Sequence, residues 1–337
     1  MRSRIGGARD MKGLGLRRYA LTIGAASALL AGCGGSQPLI GAAGAAPQGR
    51  TTTTTSDTRH THSAPLLYVG NISDYNDVKV YHAKAKDPNP VEVISNGLDA
   101  PFGDCIDGDG TLYVVNEPAG LGWVSEFPAG QTKPSKIIKK GINTPAFCAI
   151  DSKGNLWVTN IGGPNVTEYA KGSTKPTAVI TKGIIYPDGI AIDQSGNMYV
   201  ANHVTQTSGS ETFGPGNVVV YPPGSKSPNR TITVDAISPV GITVDAADTL
   251  YVTNFNESNI QEYRSGQSTP YQAITKGIDH PLAVTVDAKS YLYVTDHGDS
   301  VVVEFSPGSI APSKRKITKG LFEPAGTAYS PPLLPKG

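Results

Sequence analysis

At 337 residues the chain is long enough for one or two ordinary domains, and 39 glycines and 26 prolines against 17% charged residues point to an all-β chain of many tight turns. The formal net charge is +1, but Arg2, Arg4, Arg9, Lys12, Arg17 and Arg18 face only Asp10 in residues 1–32, so the remainder is mildly acidic. That balance excludes nucleic-acid binding by bulk charge.

Residues 1–32 read as a signal peptide. Arg17 and Arg18 form its basic region, and Tyr19 to Leu30 form an apolar run too short to span a bilayer. Leu30-Ala31-Gly32-Cys33 then has the form of a bacterial lipobox, in which Cys33 takes the lipid and becomes the mature N-terminus. Met11 gives a more conventional signal length than Met1, and the paired arginines also fit the twin-arginine route. Residues 33–65 are rich in Gly, Ala, Thr and Ser and cannot bury a core, so a disordered tether is expected, with His60 and His62 solvated within it. The expected location is therefore the cell envelope, on the outer membrane or another extracytoplasmic face. The membrane is a partner through the N-terminal lipid. Gly34 stands where an aspartate is associated with inner-membrane retention, which favours the outer membrane.

From Leu66 the chain repeats. Leu67-Tyr68, Leu112-Tyr113, Leu156-Trp157, Met198-Tyr199, Leu250-Tyr251 and Leu292-Tyr293 recur at intervals of 45, 44, 42, 52 and 42 residues, the length of a four-stranded propeller blade. Each pair opens a second strand. A first strand precedes it, opening at Pro101, Pro145, Pro187, Pro239 or Pro281 and ending at Asp107, Asp151, Asp193, Asp245 or Asp287, where an aspartate suits the turn. Third strands end in Tyr81, Phe127, Tyr169, Tyr221, Tyr263 and Phe305. The Tyr68 unit lacks a first strand, whereas Pro324 to Tyr329 is a first strand with no unit after it. The two fragments complete one blade, which closes the ring and removes an exposed sheet edge. The expectation is an all-β, six-bladed propeller over residues 66–332 whose C-terminal strand completes the first blade.

Name the strands of a blade a to d from the axis outward. Antiparallel order puts a–b and c–d turns on one face (the turn face) and d–a and b–c connections on the other (the loop face). The turns are short and monotonous, whereas the loop face varies most, with an insertion at His203 to Gly216. A binding site is therefore expected on the loop face around the channel. Asp188, His280 and Glu323 beside their prolines, with Asn202-His203 and Asp296-His297, would form a ring of carboxylate, amide and imidazole groups able to orient a polar ligand or hold a divalent cation. The bland alternative has Asp296 and the repeated asparagines bonding loop backbone.

The repeats resemble those of NHL-repeat and senescence-marker/gluconolactonase-like propellers, and Leu250-Tyr251-Val252-Thr253-Asn254 resembles the YVTN repeat of surface-layer propellers. Tyr186-Pro187-Asp188-Gly189 is similar to the Pro-Asp-Gly segment of gluconolactonase-like enzymes, which implies a metal-binding and base role for Asp188. The family's asparagine ligand has no counterpart, since Pro145-Ala146-Phe147 stands there, and Glu323 is only an inexact match to its glutamate. The resemblance thus implies calcium or zinc at Asp188 and Glu323 only if the set is completed. A lyase resembling the streptogramin lyase would use His203, His280 or His297 as its base.

Cys105 and Cys148 lie four and three residues after their prolines on the inner strands of adjacent blades. The one-residue offset turns them to opposite sheet faces, so they meet across one interface. A disulfide is expected, the alternative being two buried thiols. Lys140, Lys182, Lys276 and Lys319, each before a glycine, read as edge protection, with a basic rim for anionic glycans as the alternative. Glu126, Glu168, Glu262 and Glu304 read as a solvated or cross-strand-paired row. No phosphate-binding glycine loop, Gly-x-Ser-x-Gly elbow or Cys-x-x-Cys pair occurs. The expected function is a binding or assembly module for a protein, peptide or glycan. The alternative is a metal-dependent hydrolase or a lyase, with Asp188, His203 and His297 in catalytic roles.

Overall fold

The computed structural model describes residues 64–72, 75–118, 121–204, 206–208, 211–213, 215–234 and 238–335. The expected signal peptide, Cys33 and the expected tether up to residue 63 lie outside the described residues. The body is all-β, with six four-stranded antiparallel sheets and a small separate hairpin of Gln206–Ser208 and Glu211–Phe213. No helix occurs among the described residues. The hairpin accounts for the long fourth interval.

The chain ends share the first blade. Pro324–Ser330 pairs with Leu66–Asn71, placing Tyr329 opposite Leu67 and Thr327 opposite Val69. In each blade the inner strand opens at the repeated proline, and the Leu-Tyr strand lies next outward. Alternation points side chains to the two neighbouring blades, so most strand positions are buried on both faces.

The punctuating aspartates tie each a–b turn. Asp107 Oδ1 accepts the N–H groups of Asp109 and Thr111, and Asp151, Asp193, Asp245 and Asp287 accept the equivalent pairs. In four of them the other oxygen accepts from the aromatic partner of the Leu-Tyr pair, Tyr113 at 3.4 Å, Trp157 at 3.2 Å, Tyr199 at 3.1 Å and Tyr251 at 3.2 Å, whereas that of Asp287 accepts from Lys84 at 2.6 Å. This explains why the aspartate and the aromatic recur together. At the turn position taken elsewhere by Gly110, Gly154 and Gly196, Asp248 and Ser290 also hold positive φ, 59° and 62°.

Blades are latched by hydroxyls. Tyr169 Oη donates to the Lys140 carbonyl at 2.8 Å, Tyr221 to Lys182 at 2.6 Å and Tyr81 to Lys319 at 2.7 Å. The recurring Lys-Gly pair thus contributes a main-chain carbonyl to the next blade. Thr159, Thr253 and Thr295 donate to the Asp188, Leu282 and Ala325 carbonyls of the following inner strand. The third-strand glutamates pair across to the outer strand, as in Glu126 with Lys136 at 2.7 Å and Glu304 with Arg315 at 3.2 Å. Cys105 and Cys148 are bridged across the second and third blades.

Candidate functional site

On the loop face the residue after each repeated proline points to the axis. Phe102, Ala146, Val240, Leu282 and Ala325, from five blades, join one buried apolar cluster with Phe147 and Phe255. Inner strands from so many blades meet only around the axis, so this cluster closes the channel at its loop-face end. Of the polar groups expected there, only Asp188 occupies the place after a repeated proline; the other five residues at that place form an apolar plug.

Asp188 takes the sixth place and is only 5% exposed. Its neighbour Gly189 is required by packing, because a Cβ there would sit 2.2 Å from the Val240 carbonyl oxygen. Gly103, Gly241 and Gly326 meet the next inner strand in the same way, so the glycine of the Pro-Asp-Gly segment belongs to the scaffold. With its carbonyl pinned by Thr159, Asp188 holds its carboxylate 2.8 Å from His203 Nδ1. The His203 ring lies against Tyr186, centroids 5.9 Å apart, and is partly exposed. A carboxylate fixing one imidazole nitrogen is the geometry of an oriented base or of a polar anchor.

A second group forms at the fifth and sixth blades. Phe255 packs against His280 at 5.0 Å and His297 at 5.8 Å. His280 Nδ1 lies 2.7 Å from Asp279, and His297 Nδ1 lies 3.4 Å from the Pro324 carbonyl oxygen. Burial holds His297 below the usual imidazole range, outweighing the Pro324 carbonyl and the Glu323 charge. His280 and Glu323 adopt left-handed backbone, φ 55° and 46°, as do Ala100 and Thr144 before their own prolines. That conformation is therefore a property of the repeat.

Asn202 and Asp296 are buried inside their blades. Asn202 accepts from the Ile185 N–H and donates to the Gly183 carbonyl and Asn217. Asp296 accepts from the Asp279 and Asp299 N–H groups, so both serve loop backbone. Among the described residues no three His, Cys, Asp or Glu side chains converge to hold a metal ion. Asp188 is joined to His203.

The loop face also carries apolar groups that the repeat pattern did not single out. Tyr75, 52% exposed, and Phe322, 39% exposed, meet edge to face at 6.3 Å, with Lys79 Nζ 4.8 Å from the Tyr75 ring centroid. Leu121, 72% exposed, lies in a b–c loop on the same face. Their sequence signal was a large apolar side chain inside a loop-face connection.

No protein-family model matches the sequence, and no curated protein matches it. Solved structures share the architecture. A chain of the nidogen/laminin complex superposes with a TM-score of 0.67 at 16% identity, covering 79% of this chain and 98% of that one. A protein of unknown function from Bacteroides caccae gives 0.61 at 12% identity, over 79% and 99% of the two chains. A putative 6-phosphogluconolactonase from Bacteroides fragilis gives 0.58 at 16% identity, over 81% and 99%. The chain shares its β-propeller fold with these proteins and builds it from six blades.

Proposed function

We propose that the chain is a binding or assembly module of the cell envelope, anchored through lipid on Cys33, whose loop face docks a protein or peptide. The observation that carries this reading is the exposed Tyr75–Phe322 pair, with Lys79 beside it. Exposed aromatic side chains on a rigid scaffold provide large contact area at low entropic cost and are enriched at interfaces. The likeness to a chain of the nidogen/laminin complex agrees, since that propeller was solved in a protein complex.

The test is the size of the detergent-solubilised protein from its native membranes. Wild type is expected in an assembly larger than a single lipidated chain, and Tyr75→Ala with Phe322→Ala is expected to release it as a monomer. A monomeric wild type, or an assembly indifferent to both substitutions, contradicts the reading.

The second reading, a hydrolase or lyase, rests on the 2.8 Å contact between Asp188 and His203. With Nδ1–H donating to Asp188, Nε2 is left to take a proton. Turnover of lactone substrates by wild type, lost in His203→Ala, would favour it over docking.

A further inference from the structure

Between the third and fourth blades the turn face opens into a cleft of about 230 Å³, room for a small molecule. Asp151, Asn155, Trp157 and Glu168 line its third-blade wall, and the c–d turn of the fourth blade, Pro222 to Lys226, lines the other. Asp287, Tyr293 and Glu304 hold the equivalent places in the sixth blade and are buried. Asp151, Trp157 and Glu168 are all partly exposed.

Two departures from the repeat uncover them. The outer-strand residue opposite Glu126 is Lys136, whose Nζ lies 2.7 Å from that carboxylate, and the one opposite Glu262 is Gln272, which donates to it at 3.2 Å. Opposite Glu168 stands Ala178, which is too short to reach it. The second departure lies in the neighbouring turn. At the boundary between the sixth and first blades, Lys84 of the first-blade c–d turn fills the equivalent cleft. Its Nζ lies 2.6 Å from Asp287, 2.6 Å from the Tyr293 hydroxyl and 4.5 Å from the Tyr291 ring centroid. That turn closes with the Ala85 N–H on the His82 carbonyl, and the fourth-blade turn closes in the same way with Ser225 on Pro222. The place of Lys84 is then Gly224, where a Cβ would meet nothing within 4 Å. The Asn155 amide donates to Asp151 at 3.0 Å and to Glu168 at 3.1 Å, and Trp157 Nε1 donates to Asp151 at 3.2 Å. Neither carboxylate forms an ion pair with a Lys or Arg among the described residues.

We propose that this cleft binds a small molecule carrying a primary ammonium group, held by Glu168 and Asp151 with its aliphatic chain against the Trp157 ring. Each carboxylate has acceptor sites beyond the donors it already receives, and an ammonium beside an indole face gains cation–π attraction. Lys84 is the chain's own example of such a ligand, an alkylammonium seated on the equivalent aspartate and aromatic. Exposed Lys153 and Lys226 also line the cleft, which favours a ligand with an anionic far end over a second amine. The site is on the turn face, separate from Asp188 and from the Tyr75–Phe322 pair.

The probe is 5-aminopentanoate, with pentanoate as the control that lacks the ammonium. In the full chain carrying Trp123→Phe, Trp157 is the sole tryptophan, and its emission reports the cleft. A saturable change with 5-aminopentanoate and none with pentanoate is expected. Glu168→Gln is expected to weaken binding at least about tenfold, because it removes a charge-assisted hydrogen bond. Ala178→Lys supplies a cation as Lys136 does in the second blade, and is expected to abolish binding while melting no lower than its parent. No saturable change in the parent overturns the proposal, as does an equal response to pentanoate or undiminished binding in Glu168→Gln or Ala178→Lys. None of these outcomes bears on docking at the loop face.

Discussion

Cys105 of the second blade and Cys148 of the third are joined by a disulfide, their Cα atoms 5.8 Å apart and separated by 43 residues of chain. The bond links neighbouring inner strands, where blades converge most tightly. A bridge closing a loop of this length typically contributes about 2–4 kcal/mol. Cys105→Ser with Cys148→Ser is therefore expected to lower the urea midpoint by a corresponding amount. An unchanged midpoint contradicts a stapling role.

The tyrosine latches make a separate prediction. Tyr169→Phe leaves the Lys140 carbonyl without its inter-blade donor and is expected to cost about 1–2 kcal/mol by urea unfolding. Lys140→Ala keeps that carbonyl and is expected to cost far less. Equal losses would assign the Lys-Gly repeat to the lysine side chain instead.

Asp296 occupies the place that Asn71, Asn116, Asn160, Asn202 and Asn254 hold in the other blades. Burial raises its carboxyl to about 6, more than the Asp299 and Asp279 N–H groups lower it, and nearby carboxylates add to the rise. The folded value lies above the unfolded value of 3.8, so the folded state holds the proton more tightly. Stability from this group is present below the unfolded value and is lost as pH rises through about 6. Asp296→Asn is expected to match wild type near pH 4 and to exceed it by about 1–2 kcal/mol at pH 8. Asp104, whose carboxyl is also raised by burial, adds a slope of the same sign to both proteins, so the difference between them isolates Asp296. A variant less stable at pH 8 would show that the ionised group is needed.

Anchoring is tested through Cys33. Cys33→Ala is expected to lose metabolic palmitate labelling and to move the protein from the membrane to the soluble fraction. Retention of both in the variant contradicts lipid attachment at that residue.

The ring was legible because its signals are side chains tied to one another. Asp107 recurs with Tyr113 through the hydrogen bond between them, and the unmatched Pro324 strand fits the unmatched Tyr68 unit because one register completes both. The latch at the Lys-Gly pairs was not legible for the opposite reason: the group that Tyr169 meets at Lys140 is its carbonyl, which every residue possesses. Asp188 stood out beside its proline, and its contact with His203 follows from the blade geometry. The apolar plug was harder to see, since Phe102, Val240 and Leu282 are spread along the chain and meet only at the axis. Tyr75 and Phe322 lie at opposite ends of the body and become neighbours only when the ring closes.

The account turns on partner docking at the loop face. Its most direct measurement is photo-cross-linking in living cells, with a benzophenone amino acid placed at Tyr75 on the loop face or at exposed Lys153 in a turn-face a–b turn. A discrete adduct from Tyr75 and none from Lys153 is the predicted result. An adduct from Lys153 with none from Tyr75 would place the working surface on the other side of the propeller and contradict the account.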